Sequence, residues 1–238
     1  MALKDLYEQT RRERGFAADA GQLRALESLQ RCEDEWVAYK ARRGNVLTKL
    51  VAHPPLPRGV YLHGGVGRGK SFLMDCFYLC VPLLRKTRLH FHEFMREVHR
   101  ELAELQGTPD PLQELGRRIA RRHRLICFDE FHVSDVTDAL ILHRLLEALF
   151  ENRVSLVATS NFEPAALYPN GLHRERMLPA IALLETHLEV VGIGPGSDYR
   201  QLAFAELGMY HCPLGAGANR AMQLAFERLA EAKDEDPV

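Results

Sequence analysis

The sequence predicts an α/β fold: a parallel sheet covered by helices on both faces, with a helical segment ahead of it. Three observations carry that prediction. Short apolar runs alternate with longer amphipathic ones, the pattern of strands joined by crossover helices. The stretch Gly64-Gly65-Val66-Gly67-Arg68-Gly69-Lys70-Ser71 reads G-x-x-x-x-G-K-[ST] and stands between an apolar strand and a helix opening. Two later apolar runs end in polar residues, Asp129-Glu130 and Asn161, as strands do where a sheet edge meets a ligand.

The elements follow in order. Residues 1–52 read as helices, because Leu23, Leu26, Leu29 and Trp36 recur at roughly helical spacing with charges between them. His53-Pro54-Pro55-Leu56-Pro57 is a rigid linker into the sheet. Residues 60–63 form the first strand, and 72–78 open the helix behind the glycine-rich loop. Residues 88–91 are the second strand. A helix over 93–106 is stopped by Gly107 with Pro109 beyond. A helix over 111–122 leads into the third strand, 124–128. The helix over 136–151 presents Leu140, Leu142, Leu145, Leu146, Leu149 and Phe150 as a broad apolar face. Residues 154–161 are the fourth strand and 188–191 the fifth. Signals weaken over 192–217, and 219–232 is a closing helix. The expected division is an N-terminal helical segment (1–52), a core (53–195) and a C-terminal helical segment (196–238).

Composition narrows the class. A chain of 238 residues is long enough to bury a sizeable core. A net charge of −1 gives no global field to favour nucleic acid or an anionic membrane. Residues 1–8 carry no apolar signal core, and no apolar run is long enough to span a bilayer. The five cysteines are odd in number and scattered, and Cys76 and Cys80 are not a C-x-x-C pair, so reduced cytoplasmic thiols are expected.

The chemistry resides in the loop and the strand ends. Glycines let the loop curl so that successive N–H groups and the following helix N-terminus make an anion site. Gly64, Gly65, Val66, Gly67, Arg68, Gly69, Lys70 and Ser71 are thus the candidate nucleotide-binding residues. Lys70 reaches the β- and γ-phosphates, and the Ser71 hydroxyl sits on Mg²⁺. Asp129 is the second candidate for the Mg²⁺ shell, and Glu130 for polarising the attacking water. Asn161 is the candidate sensor of the γ-phosphate or that water, with a plain turn role as its alternative. Arg174 and Arg176 are both candidate fingers for a neighbouring subunit's γ-phosphate, or else an ordinary charged face.

Three further features have ordinary readings beside functional ones. His90, His92, Glu93 and His99 lack metal-ligand spacing and favour a structural or partner-facing role. Arg117, Arg118, Arg121 and Arg122 form a helix ridge, read chiefly as a solvated face and secondarily as a phosphate-backbone site. Asp198-Tyr199-Arg200 holds either a second nucleotide-contacting arginine or a local salt bridge.

The order and wording of these motifs resemble the AFG1-like P-loop ATPases. The resemblance rests on Gly64 to Ser71 with Phe72-Leu73-Met74-Asp75, and on His90-Phe91-His92-Glu93-Phe94-Met95. It continues through Cys127-Phe128-Asp129-Glu130-Phe131-His132-Val133-Ser134-Asp135 and Ala158-Thr159-Ser160-Asn161. Leu167-Tyr168, Asn170-Gly171-Leu172, Arg174-Glu175-Arg176, Asp198-Tyr199-Arg200 and the early Asp19-Ala20-Gly21-Gln22 complete it. It implies a P-loop core of the AAA+ class, an ATPase using ATP and Mg²⁺, with Lys70, Asp129, Glu130 and Asn161 in the roles above. It implies a finger in the Arg174 region, a homo-oligomer, and a protein partner in cell division, an FtsZ-type polymer. Family members continue past the polar residues 233–238, so the C-terminal segment is expected to be incomplete relative to them. Two readings from other classes stay open: a helicase-loader-like nucleic-acid remodelling ATPase, and a nucleotide-binding module that does not hydrolyse.

Overall fold

A computed structural model describes residues 2–13, 18–43, 54–169 and 171–194. Two helices lead: α1 (Leu3–Glu13) and α2 (Ala20–Arg42). Then come β1 (Gly59–His63), α3 (Lys70–Cys80), β2 (Lys86–His90), α4 (Phe91–Glu104) and α5 (Pro111–Arg122). The chain continues through β3 (Leu125–Asp129), α6 (Val136–Glu151), β4 (Ser155–Ser160), α7 (Leu178–His187) and β5 (Leu188–Gly192). All five strands pair in parallel, in the order β2-β3-β4-β1-β5. The expected closing helix, Asp198-Tyr199-Arg200 and Cys212 lie outside the described residues.

Strand alternation builds three layers. Tyr61, Ile126, Phe128, Leu156 and Ala158 point to one face, where they meet the apolar sides of α4, α5, α6 and α7. Val60, Leu62, Leu125, Cys127, Val157 and Val191 point to the other and meet α1, α2 and α3. Both faces of the central strands are therefore dry, which is why β1, β3 and β4 read as near-continuous apolar runs. The N-terminal helices are part of this packing: Trp36, Tyr7 and Leu29 are fully buried against the sheet.

Two elements differ from the sequence reading. β2 covers Lys86–His90, and Phe91 opens α4 rather than closing the strand. β2 is an edge strand, and its Lys-Thr-Arg-Leu-His sequence has the polar character that guards an exposed edge, so it lacks the apolar signal of the inner strands. Phe91 instead turns into the core, with its ring 4.2 Å from Phe131 and 5.7 Å from Phe128. α7 was not anticipated. Its early Pro179 looks like a breaker but lies in the first turn, where no intrahelical N–H is needed.

Gly116 sets the approach of α5 to α6. A Cβ there would lie 2.8 Å from the Ala148 side chain and 3.0 Å from its carbonyl oxygen. Gly116→Leu is expected to lower stability by about 2–3 kcal/mol through overpacking, measured by urea melts.

Candidate active site

The motif residues converge because the chain's strands end together. β3, β4 and β1 are neighbours, and their C-terminal ends release Asp129-Glu130, Asn161 and the Gly64–Ser71 loop side by side. The loop needs its glycines: φ is 152° at Gly64, 77° at Gly67 and 76° at Gly69. At Gly69 a Cβ would also lie 2.7 Å from Gln22 Nε2. Lys70 begins α3 and folds back over the loop. Its Nζ donates to the carbonyls of Gly64 and Gly65 at 2.7 Å each and to Asn161 Oδ1 at 3.0 Å. Lysine and amide thus already share one place.

Asn161 is held from both sides. The Ser160 hydroxyl donates to the Phe131 carbonyl at 2.7 Å and accepts from Phe162 N at 3.1 Å, while the Tyr61 hydroxyl donates to the Phe162 carbonyl at 3.0 Å. Tyr61 is fully buried, and burial pushes its phenol pKa up, so it stays a neutral donor.

The Asp129-Glu130-Phe131 turn separates two carboxylates. Asp129 is buried, and Phe131 is fully buried among Phe91, Tyr61 and Phe128. Glu130 between them must swing outward. It does so at φ 53°, an αL conformation that costs a non-glycine residue energy and that clusters at functional positions. Thr159 braces the turn: its hydroxyl donates to Asp129 Oδ1 at 3.3 Å and accepts from Glu130 N at 3.2 Å, and its carbonyl accepts from Phe131 N at 2.7 Å. The Glu130 side chain is 72% exposed, with His90 Nδ1 3.9 Å from Oε2. Asp129 Oδ2 accepts from Arg88 Nε at 2.6 Å, and Arg88 also pairs with Asp75 of α3. The Ser71 hydroxyl and the Asp129 carboxylate are hard oxygen donors of the kind that suit Mg²⁺, so the residues present fit that ion.

The N-terminal segment reaches the loop from behind. Gln22, almost fully buried, donates from Nε2 to the Arg68 carbonyl at 3.1 Å. Asp19 caps α2 by accepting from Gln22 N at 2.9 Å and pairs with the buried Arg68 guanidinium. Burial works to raise the Asp19 pKa, but the Gln22 amide and the Arg68 charge outweigh it and hold the carboxyl below the ordinary aspartate range. A lowered pKa contributes stability that is present above the unfolded value and lost as pH falls through the folded one. Asp19→Asn is therefore expected to cost about 1–2 kcal/mol at neutral pH, with the gap to the parent closing below about pH 4. Urea melts across pH check it; a gap that stays constant into acid would contradict the pairing.

Other predicted features fall elsewhere. Arg174 Nη2 donates to the Ala165 carbonyl at 2.8 Å, and Arg176 is exposed; among the described residues neither touches Lys70, Asp129, Glu130 or Asn161. His99 bonds Asp138 at 2.7 Å, and His90 stacks on His92 with centroids 5.7 Å apart. The arginine ridge on α5 is partly neutralised: Arg117 and Arg118 both face Glu114, and Arg122 bonds Glu101. That pattern is a partly ion-paired solvated face: two carboxylates serve three of the four arginines, and Arg121 has no ion pair among the described residues. Burial pushes the Cys32 thiol up to about 12 and raises Cys127 as well, so neither serves as a nucleophile. Sequence reasoning missed Arg88, Thr159 and Asp75 as site residues. Only the register of β2 on β3, with Arg88 beside Cys127, brings the guanidinium to the strand end.

This sheet order, with a glycine-rich loop after β1 and paired carboxylates after β3, defines a P-loop ATPase fold of the AAA+ type. Solved structures agree on the fold. DnaI superposes with a TM-score of 0.53 at 16% identity, over 78% of this chain and 87% of its own. Domain III of the Thermotoga maritima replication initiation protein DnaA gives 0.52 at 16% identity, over 94% and 90%. The chain belongs to the AFG1-like ATPase family, whose model matches residues 1–238. It is 46% identical over 184 residues to the cell division protein ZapE of Escherichia coli K12, covering 77% of this chain and 49% of that one. The chain spans about half the length of that relative. Among the described residues, no helix is long and apolar enough to cross a membrane.

Proposed function

We propose that this chain is a Mg²⁺-dependent ATPase that spends each hydrolysis cycle on remodelling a protein partner. The observation that carries the reading is the convergence of Lys70, Asn161, Asp129 and Glu130 at the ends of three adjacent strands. Loop amides from Gly64 to Ser71 and Lys70 hold the phosphates, and Ser71 and Asp129 would hold the metal. A bound Mg²⁺ would supply positive charge to offset that of the phosphates. Glu130, turned outward, takes the proton of the attacking water. Asn161 hydrogen-bonds the γ-phosphate or that water and, through its bond to Lys70, links phosphate contact to the end of β4. Arg174 or Arg176 from a second copy completes the site, which makes a homo-oligomer the working form.

Membership of the AFG1-like family and likeness to a cell division protein support a protein substrate, by resemblance an FtsZ-type polymer in the cytoplasm. The chain's net charge of −1 weighs against nucleic acid. The test is Mg²⁺-dependent phosphate release across protein concentration. A rate per subunit that rises with concentration is the expected result. ATP binding with no turnover at any concentration would reduce the chain to a nucleotide-binding module.

A further inference from the structure

We propose that Arg88 is a resident cation of the Asp129 carboxylate, which a divalent ion must displace toward Asp75. This rests on the reading of Asp129 as a metal-facing group. The geometry is a fork with two carboxylates and one guanidinium. Arg88 stands on the edge strand, with Nε on Asp129 Oδ2 at 2.6 Å and Nη1 on Asp75 Oδ1. Asp129 has a side chain only 11% exposed, and its other oxygen already accepts the Thr159 hydroxyl. Its charge is thus neutralised and both oxygens are engaged before any metal arrives.

The two carboxylates differ in a way that gives the guanidinium somewhere to go. Asp75 is 54% exposed and lies on α3, the helix that starts at Lys70. A divalent ion at Asp129 repels the guanidinium, and full pairing with Asp75 is the alternative partner within reach. A guanidinium does not deprotonate in proteins, so Arg88 remains a cation in either arrangement. Charge-assisted pairs are the stronger hydrogen bonds, and a planar fork suits two carboxylates at once. Metal loading is thereby coupled to the contact between β2 and α3. The role is one of positioning: Arg88 acts through Asp129 and sets how strongly nucleotide binding depends on the metal.

The test uses mant-ADP affinity measured without and with Mg²⁺, the ratio isolating the metal's contribution. Arg88→Gln is expected to raise that ratio about tenfold, the scale of one charge-assisted hydrogen bond. Arg88→Lys, which keeps the charge, should stay near the parent. Asp75→Asn leaves Arg88 to Asp129 alone and should lower the ratio, yet have little effect when combined with Arg88→Gln. A purely structural arginine predicts the opposite sign, since its loss would disorder Asp129 and lower the ratio. Arg88→Met, with a similar stem, replaces the glutamine variant if that one fails to fold. An unchanged or lowered ratio in a folded neutral variant overturns the proposal. Asp129→Asn separates this from the underlying reading: if that substitution leaves the Mg²⁺ dependence intact, Asp129 does not face the metal at all.

Discussion

Glu130→Gln is expected to lower ATP turnover by about 10²–10⁴-fold while ATP affinity stays within a few-fold of the parent. The separation follows from how the turn is built. Asp129 and Phe131, on either side, carry the packing and the hydrogen bonds; Glu130 contributes a largely exposed side chain whose nearest ion-pair partner is His90 at 3.9 Å. Glutamine has the same shape and the same backbone demand at φ 53°, so the fold has no reason to respond. It removes only the ability to accept a proton from water. Asp129→Asn is a different experiment, because it also breaks the Arg88 pair and alters the Thr159 brace. Phosphate release and mant-ATP binding, run on the same preparation, decide the matter. Turnover within a few-fold of the parent would remove Glu130 from the role of base.

The parts of the site legible in the sequence are those encoded locally. The Gly64–Ser71 loop announces itself because glycines, a lysine and a hydroxyl must be adjacent to wrap a phosphate. Asp129, Glu130 and Asn161 were legible because each ends an apolar run, and strand ends on a parallel sheet share one edge. What stayed hidden depends on which strands become neighbours. Thr159 looks like one more β-branched strand residue until β4 is placed beside β3, where its hydroxyl meets Asp129. Arg88 looks like one charge in a polar stretch until that stretch becomes the edge strand. The early Asp19-Ala20-Gly21-Gln22 was visible as a helix start, but nothing in its spacing tells that Gln22 will hold the Arg68 carbonyl, 46 residues away. The five strands lie within a residue or two of where the sequence places them, whereas α7, with a proline in its first turn, is not among the elements expected.

Arg176→Ala is expected to lower turnover by about 10³–10⁵-fold if the finger is supplied by a neighbouring subunit, the range for an arginine that meets charge only in the transition state. The two candidates are not equivalent in their surroundings. Arg174 spends its Nη2 on the Ala165 carbonyl, nine residues back, and so ties the short turn Arg174–Arg176 to the chain leaving β4. Arg176 is exposed and its side chain uses no hydrogen bond or ion pair among the described residues, leaving its full fork for a phosphate. Arg174→Ala should therefore act mainly on stability, and Arg176→Ala on rate. Mixing supplies the sharper check. A Glu130→Gln subunit has a dead site but an intact finger, and an Arg176→Ala subunit has the reverse. Combined, they should recover part of the activity that each lacks, because mixed neighbours assemble complete sites. No recovery, in preparations shown to associate, would mean the arginine serves its own chain or does not serve catalysis. If Arg174→Ala instead abolishes turnover in a protein that melts like the parent, the assignment of the two arginines reverses.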